Sequence, residues 1–172
     1  MIGSLMYLTI TIPDLMFAVS LASRYMERPT EQHQQVVKRV MRYLNGTTGL
    51  GILYKRRGSR NLVAYTDSDY AGNVDDRRST SGYVFLLGEG VVAWSSKKQA
   101  VVSLSTAEAE FIAAASCACQ CIWLRRILFS LDHFLDKCSQ IHCDNSSAIK
   151  LSKNPILHDL VDKLELHTAS SV

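Results

Sequence analysis

The sequence lacks the long uninterrupted apolar run that a secretory signal or a membrane span would need. Residues 1–8 are mostly apolar, but no basic residue precedes them, and Pro13 and Asp14 interrupt the pattern that follows. We find no apolar stretch that reaches the roughly 18 residues of a membrane span. These absences predict a chain with no signal peptide and no membrane partner, and they favour an intracellular protein over a secreted one.

The sequence also lacks the cysteine patterns that are typical of disulfide frameworks or zinc sites. Its five cysteines are an odd number, and Cys117, Cys119 and Cys121 lie two residues apart on a predicted helix. Successive members of this group point about 200° apart around the helix axis, so they cannot converge on one metal ion. We therefore interpret them as core or surface thiols of a reducing compartment.

Nothing in the composition indicates disorder, because 47% of the 172 residues are hydrophobic and 20% are charged. A chain of this length fits one domain, or a small domain with an appendage. Residues 1–60 hold nine Lys and Arg against three Asp and Glu, whereas residues 61–172 hold ten against thirteen. The basic excess therefore lies in the part that would contact a polyanion.

Two helices are predicted between residues 12 and 45, because apolar residues recur there at helical spacing. The second helix also carries three basic side chains, Lys38, Arg39 and Arg42. They form either a solvated face or a contact for nucleic acid. The basic run at 55–60, interrupted by Gly and Ser, predicts a linker and a domain boundary.

Beyond residue 60 the pattern predicts a hairpin first and a helical crossover later. A Gly-Glu-Gly turn at 88–90 joins two strand-like runs, and Ser105 with Glu108 forms a capping box that starts a long helix. The predicted order of elements is β-β-β-α-β-α. This order favours a mixed sheet with helices packed against it.

Five carboxylates stand where predicted elements of this second part begin or end. Asp67 and Asp69 follow the first strand, Glu108 and Glu110 open the long helix, and Asp144 follows the last strand. Converging carboxylates repel each other and lose solvation, so they are rarely left without cations. Ions such as Mg²⁺ prefer oxygen ligands of this kind, and two of them together allow phosphodiester hydrolysis without a covalent nucleophile.

Several motifs, taken in their order along the chain, resemble those of a known family. In the first part they lie at 3–8 (GSLMYL) and 38–47 (KRVMRYLNGT), and in the second part they lie at 67–72 (DSDYAG), 77–83 (RRSTSGY), 94–99 (WSSKKQ), 105–110 (STAEAE) and 143–149 (CDNSSAI). Residues 1–57 resemble the end of the reverse transcriptase of copia-type retrotransposons. Residues 58–157 resemble the ribonuclease H domain that follows it in the same Pol polyprotein.

The resemblance implies an α/β fold, a ribonuclease H-like mixed sheet with flanking helices. Residues 1–57 are then a small helical segment from the C-terminal end of a reverse transcriptase, thumb- or connection-like. Residues 58–172 are a ribonuclease H-like domain that is incomplete at its C-terminus. The implied partners are an RNA–DNA hybrid and the rest of the Pol polyprotein, and the implied location is the cytoplasm, the nucleus or a virus-like particle.

The resemblance also implies a catalytic and metal-binding set, which is Asp67, Glu110 and Asp144. Two positions stay open, because Asp69 has the same strand parity as Asp67 and Glu108 lies close to Glu110. The implied cofactor is Mg²⁺ or Mn²⁺. The implied reaction is two-metal hydrolysis of the RNA strand of an RNA–DNA hybrid.

The chain departs from the family pattern after residues 154–155. The family continues with a basic stretch, a fifth strand and a last helix that carries a further acidic residue, and we expect the strand and the helix to be absent here. Only Glu165 could stand at the position of the Asp in the family's basic stretch. Three functions therefore stay open: a ribonuclease H with impaired cleavage, a hybrid-binding module that cannot cut, and a decayed or co-opted remnant that acts as an interaction protein.

Overall fold

The computed structural model describes residues 1–55, 61–135 and 138–153, together with the backbone of residues 164–168. The chain divides into two compact units, one of Met1–Ile52 with Ser95–Lys97 and one of Leu53–Trp94 with Lys98–Val172. The predicted boundary between residues 57 and 58 lies outside the described residues, as does most of the predicted linker. That boundary stays a prediction.

The first unit is helical. It contains α1 (Ile2–Leu8), a 3-10 turn at Pro13–Leu15, α2 (Met16–Ser23) and α3 (Glu31–Gly46). α3 begins after Thr30, which exchanges hydrogen bonds with His33 in a capping box. The structure adds α1, which the sequence patterns did not indicate. The helices enclose a core of five buried aliphatic side chains: Leu5, Leu15, Val19, Val37 and Val40.

The second unit is built on a five-stranded sheet. The strands of the sheet are β1 (Leu62–Ser68), β2 (Thr80–Leu87), β3 (Gly90–Lys98), β4 (Ser139–Cys143) and β5 (Leu164–Thr168). Within β3, Ser95–Lys97 are grouped with the first unit. They lie in the order β3-β2-β1-β4-β5. β2 runs antiparallel to β1, whereas β4 runs parallel to β1. Gly88 lies in the hairpin turn between β2 and β3, where its φ of 63° favours glycine.

Among the described residues, the helices that accompany this sheet are α4 (Thr106–Ser130) and α5 (Ser146–Ser152). α4 begins at the predicted cap, because the Ser105 side chain accepts a hydrogen bond from the Glu108 N–H. It packs on β1 and β2 and makes the crossover between the antiparallel and the parallel part of the sheet. The expected fold class, an α/β ribonuclease H-like mixed sheet with flanking helices, is confirmed.

The core of the second unit lies between α4 and the sheet. Phe85 and Ile141 are fully buried on neighbouring parts of the sheet, and Cys117 and Cys121 meet them from α4. Burial raises the pKa of the Cys117 thiol, which therefore stays neutral. The interpretation of these two cysteines as core residues agrees with this placement, and Cys119 between them is exposed.

α4 corrects one expectation. Within the described residues, this helix is long and apolar enough to cross a membrane by length and composition. The expectation that no apolar stretch reaches about 18 residues is therefore wrong. Cys117 and Cys121 of α4 pack against the sheet, whereas Trp123 and Phe129 of the same helix are exposed.

The fifth strand also corrects an expectation. β5 pairs in parallel with β4, from Ser139 opposite Leu164 to Cys143 opposite Thr168. The expected absence of this strand is wrong, and β4 is an inner strand of the sheet. A parallel neighbour needs a crossover of a dozen or more residues, and residues 144–163, which include α5, are long enough to supply it.

Candidate active site

The end of β1 brings Asp67 to the edge of the sheet. Burial alternates along this strand, so that Leu62, Ala64 and Thr66 are buried and Asp67 is exposed. One carboxylate oxygen of Asp67, Oδ1, accepts a hydrogen bond of 2.8 Å from the backbone N–H of Ser68. The strand thus delivers an accessible carboxylate at the point where its pairing with β2 ends.

Glu110 enters the same place from the second turn of α4. It is only 6% exposed, which is unusual for a carboxylate, because burying a charge is costly unless it is paired. Its Oε1 accepts a hydrogen bond of 3.1 Å from the Ser68 N–H, the same amide that faces Asp67. Its Oε2 lies 3.8 Å from the thiol sulfur of Cys143. Glu110 is therefore fixed between the ends of β1 and β4.

Asp144 follows the last residue of β4 and is exposed. The next residue, Asn145, caps α5 by accepting hydrogen bonds of 2.9 Å from the Ser147 N–H and 3.1 Å from the Ala148 N–H. This cap fixes the turn that carries Asp144. One ligand atom from each of Glu110, Cys143 and Asp144 lies within 4.8 Å of the other two.

Burial and the neighbouring carboxylates of Asp67 and Asp144 raise the pKa of Glu110. The pKa of Glu110 is raised to about 7, first by burial and then by the negative charges of Asp67 and Asp144 and a hydrogen bond with Asp67. The Ser68 N–H opposes this shift but does not cancel it. A divalent cation would remove the repulsion that causes part of the shift, because opposite charge stabilises the carboxylate form. The donor set therefore fits a hard cation.

The two rival carboxylates are engaged elsewhere. Oδ1 of Asp69 accepts a hydrogen bond of 2.6 Å from the Thr80 N–H, and Gly72 packs so closely on Asp69 that a Cβ there would lie 2.3 Å from Oδ2. Oε2 of Glu108 accepts a hydrogen bond of 2.7 Å from the Leu104 N–H. The structure thus places Glu110 beside both Asp67 and Asp144, but Asp67 is outside the group of potential ligand atoms that all lie within 4.8 Å of one another. Their catalytic and metal-binding roles stay predictions.

The structure adds Cys143 to the cluster, which the sequence reasoning did not consider as a neighbour of the carboxylates. Its position directly before Asp144, at the end of a strand parallel to β1, was the available signal. Burial raises the pKa of the Cys143 thiol, and the carboxylates of Glu110 and Asp144 raise it further. The thiol is therefore neutral and soft, and it suits Mg²⁺ poorly as a ligand.

An aromatic pair lies beside the carboxylates. The rings of Tyr65 and His142 stack with their centroids 4.8 Å apart and their planes 17° apart. These residues are paired in the parallel ladder of β1 and β4, two positions before Asp67 and Asp144. The period of two along a strand could have identified them from sequence, once the parallel pairing of β1 with β4 was known.

No model of a protein family matches the chain. The chain is 43% identical over 157 residues to a retrovirus-related Pol polyprotein from transposon RE1 of Arabidopsis thaliana, which covers 91% of this chain and 11% of that protein. It is 44% identical over 159 residues to the corresponding polyprotein from transposon TNT 1-94 of Nicotiana tabacum, again 91% of this chain and 12% of that protein. The chain thus spans about a tenth of the length of these relatives.

A shorter relative and a solved structure complete the comparison. Secreted RxLR effector protein 161 of Plasmopara viticola is 45% identical over 124 residues, which is 72% of this chain and 87% of that protein. The crystal structure of LC11-RNase H1 in complex with an RNA/DNA hybrid superposes with a TM-score of 0.43 and 16% sequence identity. It covers 63% of this chain and 84% of that one.

Proposed function

This chain belongs to the family of retrovirus-related Pol polyproteins of copia-type transposons, and we propose that its ribonuclease H-like domain hydrolyses the RNA strand of RNA–DNA hybrids. The observation that carries the proposal is the burial of Glu110 between Asp67 and Asp144, with its pKa raised to about 7. Carboxylates held together at such an electrostatic cost are typical of a site that binds cations.

The residues of the cluster have distinct parts in this reaction. Asp67, at the strand end, Glu110 and Asp144 are the carboxylates that would hold the ions. Bound there, divalent ions such as Mg²⁺ or Mn²⁺ supply Lewis-acid stabilisation of the charge that develops on the phosphodiester. The Ser68 N–H holds Asp67 and Glu110 in a fixed orientation before any ion arrives. Recognition of the hybrid would rest on its shape and its 2′-hydroxyls, with little dependence on sequence.

We expect cleavage by this chain to be weak. In the part of the chain whose side chains are described, Asp69 and Glu108 are held by backbone amides, which leaves three carboxylates at the cluster. A metal ion with few protein ligands is held loosely, and a small misplacement of the reacting groups can lower the rate by about 10²-fold. Beyond α5, Glu165 on β5 is the residue that we propose as a candidate for a further ligand.

A labelled RNA–DNA hybrid tests the proposal. We expect slow cleavage of the RNA strand with Mg²⁺ or Mn²⁺, none with EDTA, and none by the Asp144→Asn variant. Glu108→Gln is the matched control for Glu110→Gln, since both lie at the start of α4 but only Glu110 faces the cluster. Cleavage that persists in EDTA, or in both Asp144→Asn and Glu110→Gln, would contradict the proposal.

A second candidate function is an interaction protein derived from such an element. The observation that favours it is the similarity to Secreted RxLR effector protein 161, of which this chain covers 87%. A chain of this kind would depend on its surface and would tolerate loss of the carboxylates. Hybrid binding that is strong at low salt and steeply weakened by added salt, without cleavage, would instead indicate a hybrid-binding module.

The cellular location that we propose for the protein depends on which of these functions it has. An element-derived nuclease with reduced thiols would act in the cytoplasm, in the nucleus or in a virus-like particle. Its partner would be the remainder of the Pol polyprotein. Fractionation of cells that express the tagged chain tests this, and recovery of the chain only from the medium would contradict it.

A further inference from the structure

Gln99 occupies a buried position directly after β3. It is 5% exposed, and its backbone N–H donates a hydrogen bond of 2.8 Å to the Ser79 carbonyl. A buried primary amide is costly unless its two N–H donors and its carbonyl oxygen all find partners. The partners of this amide lie on three different elements and a loop, so the residue joins segments that are distant in sequence.

Each polar atom of the Gln99 side chain is used. Its Nε2 lies 2.8 Å from Ser81 Oγ on β2, 3.0 Å from the Ala109 carbonyl on α4, and 3.2 Å from Ser68 Oγ on β1. Its Oε1 accepts a hydrogen bond of 2.7 Å from Ser103 Oγ in the loop before α4. The two N–H hydrogens of the amide therefore serve three acceptors. The two serine hydroxyls can also donate hydrogen bonds, whereas the Ala109 carbonyl can only accept.

Two of these partners adjoin the carboxylate cluster. Ser68 follows Asp67, and its backbone N–H donates to Glu110 Oε1. Ala109 precedes Glu110 on α4. We propose that Gln99 is a positioning residue of the cluster: it ties the end of β1 to the first turns of α4, so that the carboxylates of Asp67 and Glu110 converge. The expected consequence for ion binding rests on the proposed function, whereas the positioning itself does not.

The chemistry of the amide explains why other residues would not serve. A methionine fills a similar volume but offers no donor to the Ala109 carbonyl. A glutamate would face that carbonyl with a second acceptor and would add a negative charge near the cluster. Displacement of a few tenths of an ångström at the start of α4 moves Glu110 directly, because Ala109 and Glu110 are adjacent on one rigid helix.

Amide hydrogen exchange in the metal-free protein tests the positioning. In Gln99→Met we expect the protection of the Ser68 amide to fall at least about tenfold more than that of Leu62, at the far end of β1. Gln99→Asn, which keeps a shorter amide, should show the same selective loss to a smaller degree and serves if Gln99→Met folds poorly. The control Phe85→Leu weakens the core away from the cluster and should lower the protection of both amides in parallel.

Mn²⁺ binding, followed by the loss of the free-ion electron spin resonance signal, supplies the second readout. We expect Gln99→Met to bind Mn²⁺ at least about tenfold more weakly than the natural chain, and Phe85→Leu to bind as the natural chain does. The positioning role would be contradicted if the Ser68 amide kept its protection from hydrogen exchange in both Gln99 variants. It would also be contradicted if the Ser68 and Leu62 amides lost protection to the same extent. A selective loss of protection at Ser68 in the Gln99 variants, together with a natural chain that binds no Mn²⁺, would support the positioning and contradict the proposed function.

Discussion

The two compact units differ in what they bury. The first unit packs aliphatic side chains such as Leu15, Val19 and Val40 into a core built from helical stripes. The second unit buries polar groups as well, among them Ser79, Gln99, Ser103 and Glu110. Within the described chain, the buried polar and charged residues lie in the second unit, with Thr9 as the exception.

An aliphatic core and a buried polar network contribute differently to the stability of a unit. An aliphatic core stabilises a unit roughly in proportion to its buried apolar area, through contacts that are not directional. A buried polar network stabilises little in net terms and costs free energy wherever one partner is missing. The second unit places such a network around Asp67 and Glu110, which indicates that the network serves the carboxylates more than the stability of the fold.

We expect the largest effect on the cleavage rate from substitutions of the buried and neighbouring carboxylates of the second unit. Asp67→Asn, Glu110→Gln and Asp144→Asn should each lower metal-dependent cleavage of an RNA–DNA hybrid by about 10²-fold or more, because each removes a ligand charge. Gel-resolved cleavage at saturating Mg²⁺ or Mn²⁺ is the measurement. The neighbouring change Glu108→Gln should leave the rate within a few-fold. Equal losses in Glu108→Gln and Glu110→Gln would show that the helix start matters and the cluster does not.

The second effect concerns stability in the absence of metal. The pKa of Glu110 is raised to about 7 from its ordinary value of 4.5, so between these pH values the folded chain holds more protons than the unfolded chain. The stability contributed by this group is therefore lost as the pH rises from 4.5 to 7. In Glu110→Gln this loss disappears, and we expect a higher Tm than the natural chain at pH 8 in EDTA. A lower Tm at pH 8, with an unchanged pH profile, would contradict the shift.

The third and smallest expected effect tests whether the first unit contributes to binding of the hybrid. Lys38, Arg39 and Arg42 are exposed on α3. If they contact a polyanion, replacing all three with Ala should weaken hybrid binding several-fold at low salt and reduce its dependence on salt. The control replaces the exposed Gln32, Gln34 and Gln35 of the same helix with Ala. Equal affinity and an equal salt slope in both variants would identify the basic residues as a solvated face.

Periodic and local signals predicted a large part of this structure. The cap at Ser105, the turn at 88–90 and the carboxylate-bearing strand ends follow from spacing and local chemistry. The fifth strand was missed because its sequence matches no family motif and its pairing with β4 depends on a long crossover. The role of Gln99 was missed for a similar reason, since its four partners come together only through the registry of β1, β2 and α4.

Sequence spacing alone could not decide which of two nearby carboxylates belongs to the site. Asp67 and Asp69 have the same strand parity, so alternation cannot separate them. The structure distinguishes them through the backbone, since the Thr80 N–H binds Asp69 and Gly72 packs against it. Such contacts depend on the turn that follows β1, where the alternation along the strand no longer applies.

Diffraction from crystals of the chain grown with Mn²⁺, at the wavelength where manganese scatters anomalously, tests the central claim most directly. If these carboxylates bind the ion, we expect anomalous density between Asp67, Glu110 and Asp144, and we expect it to be lost in crystals of Glu110→Gln. Density at Asp69 or Glu108, or none at the cluster at a Mn²⁺ concentration that supports cleavage, would contradict it.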